Sequence, residues 1–254
     1  MIIDSHCHLH DEKYAADLDE VLIRAQQASI THMVSIGCDI RTTQAAKDIA
    51  HRIPQVYFTA GFHPHDAKDM SDASFLALKN LVQDEKCVAI GECGLDYYYE
   101  HSSPTVQKEA FAKQIELAQE FKLPLVIHLR DAFDDCINIL NNYKNLHGRV
   151  VIHCFSGTLL EAKVFWNMGF YISLSGIVTF KKPGDLLQVA KEIPLEQLLI
   201  ETDAPYLSPH PFRGQRNEPA LIRHTLAAIA SARGGDALML EETVYHNTKR
   251  FFGF

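Results

Sequence analysis

The chain has 254 residues, 47% of them hydrophobic, enough for one sizeable core and a length that fits a single eight-unit α/β barrel as well as two small domains. Its formal net charge of −8 argues against a protein that coats duplex nucleic acid, because such binding neutralises many phosphates with Lys and Arg; an anionic substrate would have to be held locally. No stretch approaches the roughly 20 consecutive apolar residues of a membrane span, and the N-terminus opens on a short β-type run containing Asp4 rather than a basic leader, so a cytoplasmic protein without membrane contact is expected.

Short apolar runs alternate with segments of helical period along the chain. Runs over residues 1–4, 32–36, 56–60, 88–90, 125–127, 150–152, 171–174 and 198–200 read as strands. The first predicted helix carries Leu18, Val21, Leu22, Ala25 and Ala28 at three- and four-residue spacing behind the acidic start Asp17, Asp19 and Glu20, which suits a helix N-terminus. Further helices are expected at 41–52, 71–84, 104–121, 131–144, 158–168, 184–192 and 217–231. Pro104 opens one of them, in a first turn where its missing N–H has no partner to lose. Beyond the last strand, Leu240, Val244 and Phe251 share a helical face and would close the far side. Strict alternation places the chain in the α/β class as a (β/α)₈ TIM barrel with an extra C-terminal helix, one domain over residues 1–254. An open doubly wound sheet is the alternative that a miscounted strand would restore. The loop 204–219 holds Pro205, Pro209, Pro211 and Pro219 with Arg213, Gly214 and Arg216, so it is stiff and basic, either a structural cap or a substrate-binding element. The cysteines form no Cys-x-x-Cys pair and read as reduced, mostly buried thiols.

Six acidic or imidazole side chains, His6, His8, Glu92, His128, His153 and Asp203, lie at or just past the ends of apolar runs, so five strands deliver them to one rim of the barrel. Residues two apart on a strand face the same way, which aligns Asp4, His6 and His8. The same alternation turns the other four toward the axis if Val88, Ile90, Val126, Val151 and Leu199 face it below them. One such histidine alone would read as a hydrogen-bonded, partly buried side chain. Clustered without a cation, the six would be costly to desolvate, whereas divalent ions satisfy them together. Nitrogen with carboxylate oxygen suits Zn²⁺, Mn²⁺, Co²⁺ or Mg²⁺. The set exceeds one tetrahedral ion and divides between two, about 3.5 to 4 Å apart. His6, His8 and Asp203 would hold the first and His128 and His153 the second, with Glu92 shared. Such ions move the pKa of water toward about 7, and Asp203 is the candidate to orient the nucleophile and accept its proton. His63, in Gly61-Phe62-His63-Pro64-His65, ends the third strand and is placed to touch a leaving group or phosphate, while His65 reads as structural.

Several motifs resemble the TatD family of metal-dependent hydrolases, often called TatD-type DNases. They are Asp4-Ser5-His6-Cys7-His8-Leu9, Gly91-Glu92-Cys93-Gly94-Leu95-Asp96-Tyr97, His153-Cys154-Phe155-Ser156-Gly157, Glu201-Thr202-Asp203-Ala204-Pro205-Tyr206-Leu207 and Arg213-Gly214-Gln215-Arg216-Asn217-Glu218-Pro219. The resemblance covers nearly the whole chain. It implies an amidohydrolase-like barrel, divalent metals on the six positions, and 3′ to 5′ exonuclease activity on DNA. It also implies substrate contacts at His63, Arg213 and Asn217.

Phosphodiester cleavage would draw on Arg130, Lys181, Lys182, Arg213 and Arg216 near the ligand rim, with Tyr97, Phe155 or Tyr206 available to stack on bases of a single strand or 3′ end. A metal-dependent hydrolase of another ester or amide, for example an aminoacyl ester on tRNA, is the alternative enzyme, and a catalytically silent metal-binding protein is the alternative from another class. No association segment stands out, so a monomer is expected.

Overall fold

A period of two in the strands and 3.6 in the helices resolves into eight parallel strands with helices packed outside them, in a computed structural model that describes residues 1–254. The strands are β1 (Ile2–Cys7), β2 (Ile30–Ser35), β3 (Val56–Ala60), β4 (Cys87–Asp96), β5 (Leu125–Arg130), β6 (Val150–Ile152), β7 (Tyr171–Leu174) and β8 (Leu198–Ile200), hydrogen-bonded in that order. The intervening helices are α1 (Leu18–Gln27), α2 (Ile40–Arg52), α3 (Asp72–Val82), α4 (Pro104–Phe121), α5 (Phe133–Leu140), α6 (Leu159–Asn167), α7 (Leu186–Glu192) and α8 (Ile222–Arg233), followed by α9 (Ala237–Phe252). The fold is the expected (β/α)₈ barrel with an extra C-terminal helix, and no helix is long and apolar enough to cross a membrane.

No strand ladder joins β8 to β1; the barrel closes through an isolated bridge between Cys7 and Ala204 and through hydrogen bonds around it. The Ala204 carbonyl accepts from His8 N–H at 2.7 Å, the His6 carbonyl accepts from Asp203 N–H at 2.9 Å, and Ser5 Oγ donates to the Ile200 carbonyl at 2.9 Å. The Asp4 carboxylate accepts from Thr202 N–H at 2.9 Å and from Thr202 Oγ1 at 2.5 Å. Asp4 is fully buried, and burial pushes its carboxyl up to about 7 against these hydrogen bonds.

Leu125, Ile127, Val150, Ile152, Leu198 and Ile200 face outward into the core shared with the helices. Val88, Val126, Val151 and Leu199 alternate with them and pack inside the barrel against Phe251 and Phe252 of α9, which stops the N-terminal end of the strands. The remote-end role expected of the last helix follows from this packing. Ile90, expected on the axis beneath Glu92, instead joins the outer core, because the β3–β4 register shifts between Cys87 and Ala89 and reverses the alternation after Val88. Strands β1, β4 and β5 also run further than their apolar residues suggested, so His6, Glu92 and His128 lie within strands rather than past them. Helix α5 starts two residues later than expected, after Asp131 at a left-handed φ of 53°, and ends at Leu140; a 3₁₀ turn over Pro219–Leu221 precedes α8.

The irregular β4 depends on two glycines that flank Glu92. Gly91 and Gly94 have φ of 140° and 132°, and a Cβ would lie 2.4 Å from the Val126 carbonyl at the first and 2.1 Å from the His128 carbonyl at the second. Glycine therefore lets β4 press against β5 and aim Glu92 at the axis. Gly94→Ala is expected to destabilise by about 3 kcal/mol or more, and Gly214→Ala, at φ 84° with nothing within 4 Å, by about 1 to 2 kcal/mol. Urea unfolding of the two variants checks the order; equal losses would remove the close-approach argument.

Candidate metal centre

At the C-terminal ends of the strands, Glu92 is the hub. Its Oε1 lies 2.7 Å from His153 Nε2, 3.0 Å from His128 Nδ1 and 3.5 Å from His63 Nε2, while Oε2 lies 3.4 Å from His6 Nε2. Asp203 Oδ1 sits 3.5 Å from His6 Nε2 and 3.3 Å from His8 Nε2. The His6 and His153 rings stack at 3.8 Å between centroids. All six predicted ligands therefore converge, and His63 joins them.

Both ring nitrogens of fully buried His6 lack a hydrogen-bond partner, as do His153 Nδ1 and Glu201 Oε1, which lie 3.4 Å apart without bonding. An orphaned buried polar atom costs about 1 to 3 kcal/mol, so several in one cluster fit a centre completed by a cation. His6, His8 and Asp203 form one group of donor atoms within 4.8 Å of one another; His6, His153 and Glu201 form a second, and His63, Glu92 and His128 a third. Imidazole nitrogen and carboxylate oxygen suit a divalent ion.

The charge balance points the same way. Burial works to raise the Glu92 carboxyl, but His153, His63 and His128 around it hold it well below the usual carboxylate range. Asp203 is likewise kept low, against its burial, by His8 and His6. Burial lowers the His63 ring well below its ordinary value, whereas Glu92 and Glu201 outweigh burial at His153 and push it well up. Carboxylates held ionised among imidazoles are groups prepared for a cation.

Over this arrangement, the model of the family described as TatD related DNase matches residues 3–253. The chain belongs to the TatD family. The YabD protein of Bacillus subtilis (strain 168), named an uncharacterized metal-dependent hydrolase, is 40% identical over 252 residues, covering 99% of both chains. A protein of Escherichia fergusonii named 3′-5′ ssDNA/RNA exonuclease TatD is 37% identical over 257 residues, covering 99% of both. Among solved structures, YJJV, a TatD homolog from Escherichia coli K12, superposes with a TM-score of 0.95 at 28% identity, covering 100% of this chain and 98% of its own. TatD membership makes this protein one of a family of metal-dependent hydrolases.

The predicted substrate residues of this TatD protein separate. His63 stands in the cluster and accepts from His65 N–H at 3.1 Å. Asn217 does not reach the cavity: it is fully buried, its Nδ2 donates to the Thr202 and Tyr206 carbonyls, and its Oδ1 accepts from Glu218 N–H, so it fixes the last loop instead. Arg213 lies over the Phe180 ring at 3.7 Å and donates to the Ser208 carbonyl, outside the residues that line the cavity. Arg216 is paired with Asp17 at 2.6 Å. Tyr97 donates its hydroxyl to Asp135 at 2.7 Å and lines a neighbouring cavity. The basic loop acts mainly as a cap, and only Tyr206 and Leu207 of its tip reach the main cavity.

Asp96 and Glu201 had received no role. Asp96 Oδ2 stands 2.9 Å from His128 Nε2 and 3.1 Å from His65 Nε2, and its Oδ1 accepts from Tyr98 and Tyr99 N–H. His65, read as structural, thus braces the carboxylate behind a candidate ligand. Glu201 stands behind His153 and accepts from Ser173 Oγ at 2.5 Å. Period-two counting beyond the apolar runs would have found both, because Asp96 follows Glu92 by four residues and Glu201 follows Leu199 by two. Carboxylates behind metal-binding histidines fix ring orientation and raise ligand basicity. Asp96→Asn keeps an Oδ1 acceptor for Tyr98 and Tyr99 but loses the acceptor for His128. It is expected to weaken divalent-metal affinity about 10- to 100-fold in titration calorimetry; unchanged affinity would reduce Asp96 to a turn residue.

Proposed function

We propose that this protein is a divalent-metal-dependent 3′ to 5′ exonuclease that shortens single-stranded DNA. The observation that carries the reading is a cavity of about 860 Å³ with Glu92, His128, His153 and Asp203 on its floor and Arg41, Arg130, Tyr99 and Tyr206 on its walls. Its name-bearing relative at 37% identity supports a nucleic-acid substrate.

His6, His8 and Asp203 would hold one ion and His128 and His153 another, with Glu92 shared and His63 beside the second group. Divalent ions bound there would supply a nucleophile at neutral pH and electrostatic stabilisation of the phosphoryl oxygens; Zn²⁺, Mg²⁺, Mn²⁺ and Co²⁺ all suit the donors. Asp203, kept ionised by His8 and His6, accepts the proton of the attacking water at a carboxylate oxygen. The water oxygen forms the new bond to phosphorus as the bond to the 3′ oxygen of the preceding nucleotide breaks. His63 is neutral through burial and accepts from His65 N–H at Nδ1, so its Nε2 carries the proton and can hydrogen-bond the departing oxygen. Arg41 and Arg130 draw the strand's phosphates to the mouth.

Single-stranded oligonucleotides labelled at the 5′ end are expected to shorten progressively with Mg²⁺, Mn²⁺ or Zn²⁺ and to stay intact with EDTA, and blunt duplexes to shorten more slowly. Glu92→Gln and Asp203→Asn should each lower kcat by about a hundredfold or more. Intact DNA beside hydrolysis of a carboxylic ester or amide would replace the nuclease reading with that of another metal-dependent hydrolase.

A further inference from the structure

Beside the main cavity lies a second, of about 730 Å³, and the two share Leu129, Arg130 and Ser156 as a common wall. Tyr97, Tyr98 and Phe133 give the second cavity flat apolar surfaces, and the core residues Phe155 and Phe165 back it. Tyr97 is held in place by Asp135, which also pairs with Lys108 at 3.1 Å. Arg130 is the one cationic side chain lining this cavity, and its guanidinium lies 3.9 Å over the Tyr98 ring and 4.9 Å from the Tyr99 centroid. Tyr98 and Tyr99 remain 58% and 52% exposed, so the shelf they form with Arg130 is open to a ligand.

We infer that the second cavity seats the nucleobase of a nucleotide flanking the scissile phosphate, with Arg130 at the divide holding the phosphate on the metal side. This rests on the phosphodiesterase reading of the first cavity. Two features select a base over a phosphate as occupant. The aromatic walls present π-faces on which any base can stack. The remaining charged lining, Asp131, Asp134, Asp135 and Glu161, repels a phosphate that passes Arg130. A strand entering this way must be unpaired, since a base in a duplex has no free face to offer, so the cavity also makes the enzyme selective for single strands.

Two phosphodiesters separate this inference from the reading beneath it. A dinucleoside monophosphate reaches both cavities, whereas methyl p-nitrophenyl phosphate reacts at the floor of the first and its methyl group cannot fill the second. In metal-loaded enzyme, Tyr98→Leu and Arg130→Met should each lower the ratio of kcat/KM for the dinucleoside to that for the small diester at least tenfold, chiefly through the KM of the dinucleoside. Measuring both substrates on one preparation cancels any loss of folded protein. A smaller fall in the ratio overturns the base-binding role while leaving the nuclease reading in place, and failure of the unaltered enzyme to cleave either diester overturns both.

Discussion

The buried carboxylate of Glu92 organises this molecule. An ionised carboxylate at 4% exposure is unfavourable unless opposite charge or donors surround it, and Glu92 meets imidazoles from β1, from the end of β3, from β5 and from the end of β6. No single strand could present so many partners to one group. Eight strands converging on an axis can, so the closed barrel is the architecture that makes the centre possible.

Holding Glu92 on the axis sets demands elsewhere. Gly91 and Gly94 surrender side chains so that β4 can approach β5, and Asp4 ties β1 to the segment after β8 through Thr202. That tie brings Asp203 beside His6 and His8, although Asp203 lies past the last strand and takes a φ of 55°. The opposite end is stabilised differently. There, interior valines and leucine pack on Phe251 and Phe252, so apolar burial stabilises one end while the other carries charge.

The fold was legible because parallel strands buried on both faces leave apolar runs that stand out from helical segments. Leu125 to Ile127 and Val150 to Ile152 were found this way, and the histidine after each fell on the axis as alternation required. Counting failed where backbone geometry departed from the ideal. A register shift between β3 and β4 sent Ile90 outward, and glycines around Glu92 disguised six further strand residues as a loop, which hid Asp96. Substrate contacts were less legible for a different reason. Arg216 and Asn217 carry the chemistry of ligand binding, but whether a side chain faces a ligand or its own chain depends on partners distant in sequence. Asp17 claims Arg216 from 199 residues away, and the Thr202 and Tyr206 carbonyls claim Asn217.

The same distinction explains how an acidic protein could serve the anionic substrate proposed for it. Net charge governs the far field, and at −8 it disfavours indiscriminate adhesion to nucleic acid. Within a Debye length of about 8 Å at physiological salt, the groups at the mouth decide. Arg216, Arg24 and Lys108 are occupied by Asp17, Glu218 and Asp135, while Arg41 and Arg130 face the cavity without an ion-pair partner. Positive charge available to a ligand is thereby concentrated where the proposed ions would add to it. Such a field favours an end or a single strand threading into the mouth over a duplex lying across the surface, because only a threaded phosphate passes close enough to the arginines to outweigh the repulsion of the rest of the protein.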